Sequence, residues 1–491
     1  MYSIRTLAQR LGRPAPIPVR RHQVDTAFQA FQRDYPAYAS TAKLDRLRAT
    51  EYARLDQQGH VYLDYTGGGL YAESQVRDHM ALLNRQVFGN PHSKNLTSLA
   101  MTELVEQARA YVLHYFNASP DEYMVIFTPN ATGALRLVGE AYPFAPGGNF
   151  LLTFDNHNSV NGIREFARSK GADVTYIPIT PPELRAEVGA LGRGLELARP
   201  GTHNLFAYPA QSNFTGVQHP LPWIAYALAR GWDVLLDAAA FAPSNRLDLS
   251  VWHPDFVAIS FYKIFGYPTG TGCLLARKSA VQKLRRPWYA GGTISFSSVM
   301  GDGHYLTPGP AGFEDGTVNY LSLPAVELGL KQIESVGIDT IHTRVSCLTG
   351  WLIEQLTALR HSNGRPVVQL YGPANTHRRG GTVQVNFFDS NGRMIDCTAV
   401  EQLANAERIS LRAGCHCNPG AREIALGFTH ADLADCFSAQ EGQTFEQFLN
   451  VIDGKTTGAL RASIGLASNF ADVYTYVQFA KTFVDRPTNA V

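Results

Sequence analysis

Short apolar runs alternate with amphipathic stretches from Val61 onward. YMVIF (123–127), NFLLTF (149–154), DVTYIPI (173–179), NLFAY (204–208), DVLLD (233–237) and FVAIS (256–260) read as strands, each a brief and nearly continuous hydrophobic run. TGALRLVGEAY (132–142), SVNGIREFARSK (159–170) and PWIAYALARG (222–231) carry helical spacing between them. Strands apolar on both faces, most of them separated by a helix, predict a parallel sheet covered on both sides, an α/β fold. After about Leu323 the texture changes: PAVELGLKQIESVG predicts a long helix, and mixed strands and helices follow. The expected organisation is an N-terminal segment (1–55), a large domain (56–323) and a smaller α+β domain (324–491).

The same pattern shows where to look for chemistry, since open parallel sheets bind ligands beyond the carboxyl ends of their strands. TPNATGAL follows the first strand and offers backbone N–H groups and a threonine hydroxyl at a helix N-terminus, a setting that suits an anion. His157, Asn213 and Asp237 follow the strands at 149, 204 and 233, and Lys263 lies three residues past Ser260 beside a glycine-rich turn. Singly, each has an ordinary explanation: a helix start, a surface histidine, an Asx turn, a paired buried acid, a snorkelling lysine. Jointly, five strand ends present an anion cradle, an imidazole, an amide, a carboxylate and an amine to one crevice. Pyridoxal phosphate requires that set: a lysine to bind it, a carboxylate to keep its ring nitrogen protonated, and donors for its phosphate.

With these residues in place, the chain resembles the class V aminotransferase superfamily, of PLP fold type I. Within it, the chain is most similar to the cysteine desulfurase-like part of molybdenum cofactor sulfurases. The resemblance rests on VYLDYTGGGLYAESQ, FGNPHS, LTFDNHNSVNGIRE, LLDAAAFAP, SFYKIFGYPTGTGCLLARK, FEDGTVNYLSLPAV, LRAGCHCNPGA and VIDGKTTGALRASIG, in order from 61 to about 465. SFYKIFGYPTG and CHCNPGA are the most specific of these.

The resemblance implies a mostly parallel, seven-stranded sheet and a role for each matching residue. Lys263 matches the lysine that binds the cofactor and moves the substrate α-proton, Asp237 the partner of the ring nitrogen, and His157 the imidazole stacked on the ring. Ala131, Thr132 and Ser260 match phosphate ligands, with Tyr262 beside the lysine and Asn213 near the ring hydroxyl. Thr317 matches a phosphate ligand donated across a homodimer interface. Arg461 matches the arginine that holds the substrate carboxylate, work suited to a planar fork. Three positions depart from the family pattern: Arg422 replaces a usual cysteine, RAG (412–414) replaces RTG, and Asn130 replaces a common glycine, although asparagine tolerates a left-handed backbone. Molybdenum cofactor sulfurases continue into a further domain whereas this sequence ends at Val491, so the expected sulfur acceptor is another protein or a small molecule.

Composition narrows this little. The chain of 491 residues is 45% hydrophobic and 17% charged, enough apolar residues for a large core. A net charge of +1 and the lack of a bilayer-length apolar run give no reason to expect nucleic-acid or membrane partners. Six scattered cysteines do not form a secreted disulfide framework, so a reducing, cytoplasmic setting is expected. The first 24 residues hold five arginines and no acid, which fits either a presequence or an arm on a partner subunit; three prolines interrupt any helix there.

LRAGCHCNPG (411–420) is the remaining motif. A metal site needs about four ligands and no second Cys/His cluster has zinc-like spacing, so none is expected. A disulfide between residues two apart is strained, and buried inert thiols sit poorly with turn-forming flanks. The resemblance makes Cys417 the nucleophile that takes sulfur from L-cysteine as a persulfide, releasing alanine, with Cys415 an accessory thiol. Other class V chemistry (C–S or β-lyase, aminotransferase, epimerase) is the enzymatic alternative, and a non-catalytic scaffold the remaining one.

Overall fold

A computed structural model describes residues 21–432 and 458–487. Its centre is a seven-stranded sheet of β1 (Tyr123–Thr128), β2 (Asn149–Thr153), β3 (Asp173–Ile177), β4 (Asn204–Pro209), β5 (Asp233–Asp237), β6 (Phe256–Ser260) and β7 (Gly272–Arg277). The spatial order is β1-β7-β6-β5-β4-β2-β3. Only β7 runs antiparallel to its neighbours. The six strands read from the sequence are all present.

The continuous apolar runs have a simple cause. Along β6, Val257 and Ile259 enter one core, whereas Phe256 and Ala258 enter the other. β1 and β5 divide in the same way, Val125 and Phe127 against Ile126, and Val234 and Leu236 against Leu235. Successive side chains point to opposite faces, and helices cover both, so every position is apolar.

A second sheet, in the order β8 (Val368–Tyr371), β9 (Thr382–Phe387), β11 (Ala459–Ser463), β10 (Arg412–Gly414), is antiparallel throughout. It follows two long helices, α5 (Pro324–Val336) and α6 (Ile338–Ala358), the first of which matches the helix read there. Residues 21–55, set apart in the sequence as a segment, contain α1 (Arg21–Asp34) and α2 (Lys43–Glu51). Phe31 of α1 packs on Trp351 of α6 and on Phe470 of α8 (Phe470–Lys481). Arg48 of α2 donates to Asp472 at 2.6 Å, and Arg344 of α6 donates to Asp45 at 2.7 Å. The first 20 residues, including the proline-interrupted stretch, lie outside the described residues, as do Cys436 and most of VIDGKTTG.

Candidate active site

The loops after β1, β2, β4, β5 and β6 converge on a cavity of about 160 Å³. Ala131, Thr132, His157, Asn213, Asp237, Ser260, Tyr262 and Lys263 all line it, so one chain brings together eight of the residues singled out in the sequence.

Helix α3 (Ala131–Ala141) points its N-terminus at this cavity. Asn130 caps it, its side chain accepting from the Gly133 amide at 3.0 Å. The Asn130 backbone is extended, with φ −176°, so its tolerance of a left-handed conformation is not called on and the asparagine serves as an N-cap. Ser260 Oγ accepts from the Ala131 amide at 2.9 Å, and the Thr132 and Ser159 hydroxyls lie 2.8 Å apart. Hydroxyls and first-turn amides at a helix N-terminus favour a phosphate.

His157 caps the short helix Asn158–Asn161, and its Nδ1 accepts from the Ser159 amide at 3.1 Å. That bond leaves the proton of the neutral ring on Nε2. Burial pushes the imidazole below its usual pKa, Asp237 opposes this, and Lys263 and Arg461 add to it. Asp237 ends β5, with one oxygen accepting from the Ala239 amide at 3.0 Å.

Lys263 lies on α4 (Phe261–Phe265), which begins at the end of β6. Its amine has no hydrogen-bond or ion-pair partner among the described residues. Burial holds its pKa below the usual lysine value, with Arg461 and Arg412 lowering it further, against the upward pull of Asp237 and of Cys417. The α4 turn closes on Gly266, where φ is +80° and an added Cβ would stand 2.3 Å from the Leu70 carbonyl carbon. Only glycine fits that turn. Beside the lysine, the Tyr262 carbonyl accepts from the Gly69 amide at 3.0 Å, and burial raises the pKa of its phenol.

The cysteine motif forms a tight turn between β10 and α7 (Pro419–Leu426). The Asn418 amide donates to the Cys415 carbonyl at 3.1 Å, and His416 and Cys417 have φ of +54° and +55°. Two consecutive left-handed residues mark a type I′ turn, usually built from Asn-Gly. A left-handed residue other than glycine costs about 1–2 kcal/mol, so the turn needs external support.

Two strand-end segments, those after β2 and β4, supply that support. Asn158 N–H donates to the Cys417 carbonyl at 2.7 Å. Asn213 Nδ2 donates to the His416 carbonyl at 2.7 Å, and Asn213 Oδ1 accepts from Asn418 at 2.9 Å. Asn418, fully buried, also donates to the Asp155 carbonyl at 2.7 Å. The His416 ring lies 3.1 Å from the Gln384 amide and 3.3 Å from the Ala459 carbonyl, and burial holds its pKa well below the usual value, so it stays neutral. Cys417 is exposed and Cys415 half-exposed, both as free thiols.

Arg461, on β11, is 3% exposed. Its Nη1 donates to the Asn213 carbonyl at 3.1 Å and its Nη2 to Asp64 at 3.0 Å, while Nε is buried without a partner. Thr317 lies elsewhere. It is exposed and lines a separate cavity of about 340 Å³ with Arg136 and Trp288.

Sequence reading missed Asp64, Asp155, Ser159, Gln384 and Asn418. Asp64 stands in the quoted VYLDYTGGG and ends an apolar run, the same signal that marked Asp237. Asn418, between a cysteine and Pro419, carries a helix-start signal that went unused.

The profile of the aminotransferase class-V family matches residues 61–475. A molybdenum cofactor sulfurase of Solanum lycopersicum is 38% identical over 482 residues, covering 91% of this chain and 58% of its own. That of Homo sapiens is 35% identical, covering 89% of this chain and 51% of its own. The chain thus spans little more than half the length of the curated relatives it matches. Among solved structures, a cysteine desulfurase from Thermococcus onnurineus NA1 superposes with a TM-score of 0.73 at 23% identity, covering 90% of this chain and 98% of its own. The cystine C-S lyase C-DES, in complex with cysteine persulfide, gives 0.65 at 18% identity, covering 87% and 98%.

Proposed function

The chain belongs to the aminotransferase class-V family, and on that premise we propose that it is a pyridoxal 5′-phosphate-dependent cysteine desulfurase that moves sulfur from L-cysteine onto Cys417. The observation that carries this reading is the turn that bears the exposed Cys417 thiol, hydrogen-bonded to the strand-end loops that line the lysine cavity.

The donor set fits the cofactor. A buried amine without a partner suits covalent attachment, Asp237 suits a protonated ring nitrogen, and the α3 terminus with Ala131, Thr132 and Ser260 suits the phosphate. When bound, pyridoxal phosphate supplies an electron sink for the substrate α-carbon. Every other task falls to this chain. Arg461 offers its unpartnered Nε–H to the substrate carboxylate. Lys263, with its pKa lowered, takes a proton from the α-carbon more readily than a solvated lysine. His157, neutral, holds a proton on Nε2 within the field of Asp237 and Lys263. The Cys417 thiolate attacks the substrate sulfur: one S–S bond forms, the C–S bond breaks, and its electron pair leaves with the carbon fragment. L-Cysteine and one protein thiol thus become L-alanine and one protein persulfide.

We assign the persulfide sulfur to an acceptor protein or small molecule, with Cys415 as an accessory thiol. Thr317 is proposed to reach a second subunit's phosphate site, which its exposure and its place in a separate cavity support. The hairpin Ile294–Ser297 and His304–Leu306, with exposed Phe296, Val299, Met300 and Tyr305, is the apolar surface assigned to that homodimer. A cytoplasmic setting is supported by the five described cysteines, all unpaired. No helix among the described residues is long and apolar enough to cross a membrane.

L-Cysteine with a thiol reductant should yield alanine and sulfide in equal amounts, and Cys417→Ser should abolish both. Pyruvate and ammonia in place of alanine, at a rate untouched by Cys417→Ser, would make the protein a lyase instead.

A further inference from the structure

The carboxylate site contains a second arginine and an acid that the family reading leaves without a task. Arg412 and Arg461 are direct cross-strand partners in the β10–β11 ladder. Two guanidinium groups facing each other on neighbouring strands repel. Asp64 stands between them, its oxygens 2.6 and 3.0 Å from Arg412 nitrogens and 3.0 Å from Arg461 Nη2. The backbone fixes it there: Ser463 N donates to the Leu63 carbonyl at 2.7 Å, and Asp64 bridges to Ser463 on the strand that carries Arg461. Asp64 is therefore tied to β11 by main chain and side chain together.

Five N–H donors of Arg461 meet two protein acceptors, Asp64 and the Asn213 carbonyl, and Nε is buried without one. Asp64 and Asn213 hold the guanidinium plane from two sides and leave the remaining donors for an incoming acceptor. Two arginines and one aspartate leave about one positive charge in the site, the complement of one α-carboxylate.

Resting on the assignment of Arg461 to the substrate carboxylate, we propose that Asp64 is the positioning residue of that site: it orients Arg461, cancels its repulsion with Arg412, and so sets the preference for amino acids over amines that lack a carboxylate. Asp64 touches neither the reacting sulfur nor the α-carbon.

The test uses the cofactor-loaded enzyme and Asp64→Asn, with Asp64→Glu as the conservative rescue. L-Alanine binding is measured by calorimetry, with ethylamine as the amine without a carboxylate. Asp64→Asn should weaken L-alanine by about tenfold or more, the scale of one charged hydrogen bond lost, leave ethylamine unchanged, and be largely restored in Asp64→Glu. With L-cysteine as substrate, KM should rise by a similar factor while kcat changes little. Unchanged or tighter L-alanine binding, an equal loss for ethylamine, or no L-alanine binding to the parent enzyme would each overturn the proposal. L-Alanine binding that responds as expected, in an enzyme that releases no alanine from L-cysteine, would uphold Asp64 and refute the desulfurase reading.

Discussion

The side chain of Asn213 has both polar ends occupied by the cysteine turn, its Nδ2 on His416 and its Oδ1 on Asn418. Its backbone carbonyl holds Arg461. One residue therefore ties the thiol, the carboxylate arginine and the cofactor cavity together. Sequence reading placed Asn213 at the cavity without exposing this second task, because the partners lie some 200 residues away, at 416, 418 and 461, and no local pattern encodes them. Asn418 completes the same latch. Asn418→Ala should free the turn and raise the alkylation rate of Cys417 about 5–30-fold, the effect of losing 1–2 kcal/mol of support. The check is iodoacetamide labelling followed by mass analysis, with Cys273 as a fully buried control. An unchanged rate would mean that the turn stands without the latch. Lys263→Ala should abolish the near-visible absorption band of covalently held cofactor, and a retained band would remove Lys263 from its assigned role.

At the scale of elements, the parallel strands were legible because burial on both faces leaves unbroken apolar runs. β7 was not separated from its neighbours: GCLLAR (272–277) follows the glycine-rich turn after α4 and was read within one motif string, although it folds back antiparallel onto β6 and β1. The strands of the second sheet are short, as in the three-residue β10, and their polar members serve the site: Gln384, Arg461 and Arg412 form one cross-strand row. In β9 the polar members alternate with core Val383, Val385 and Phe387, so function occupies the polar face of an alternating strand. Helix α7 approaches β2 so closely that a Cβ at Gly420 would stand 2.0 Å from the Phe154 carbonyl. Gly420→Ala should destabilise the protein by about 1–3 kcal/mol through overpacking. Because α7 carries the cysteine turn, the variant should also slow persulfide formation. Denaturant unfolding checks the first outcome and single-turnover alanine release the second.

For the whole molecule, two buried carboxylates link stability to pH. Burial raises Asp255, further raised by Asp233, and likewise Asp472, opposed by Arg48, each from 3.8 to about 6. The folded chain takes up these protons before the unfolded chain does. Their contribution is full below about pH 3.8 and is lost as pH rises through about 6. Asp255→Asn removes one of these titrations, so its stability relative to the parent should improve from pH 5 to pH 8, by roughly 1–3 kcal/mol. Thermal unfolding at both values checks the sign. The proposed homodimer is tested at the same scale: Met300→Glu on the exposed hairpin should yield a monomer by sedimentation and lower cofactor retention, because Thr317 then serves no neighbour. A dimer that persists unchanged would place the interface elsewhere. The most direct test of the central claim is peptide mass analysis after the holoenzyme is incubated with L-cysteine and no reductant. One added sulfur atom on Cys417, matched by an equal amount of alanine, is the predicted result; alanine formed with Cys417 unmodified, or sulfur found only on Cys415, would contradict it.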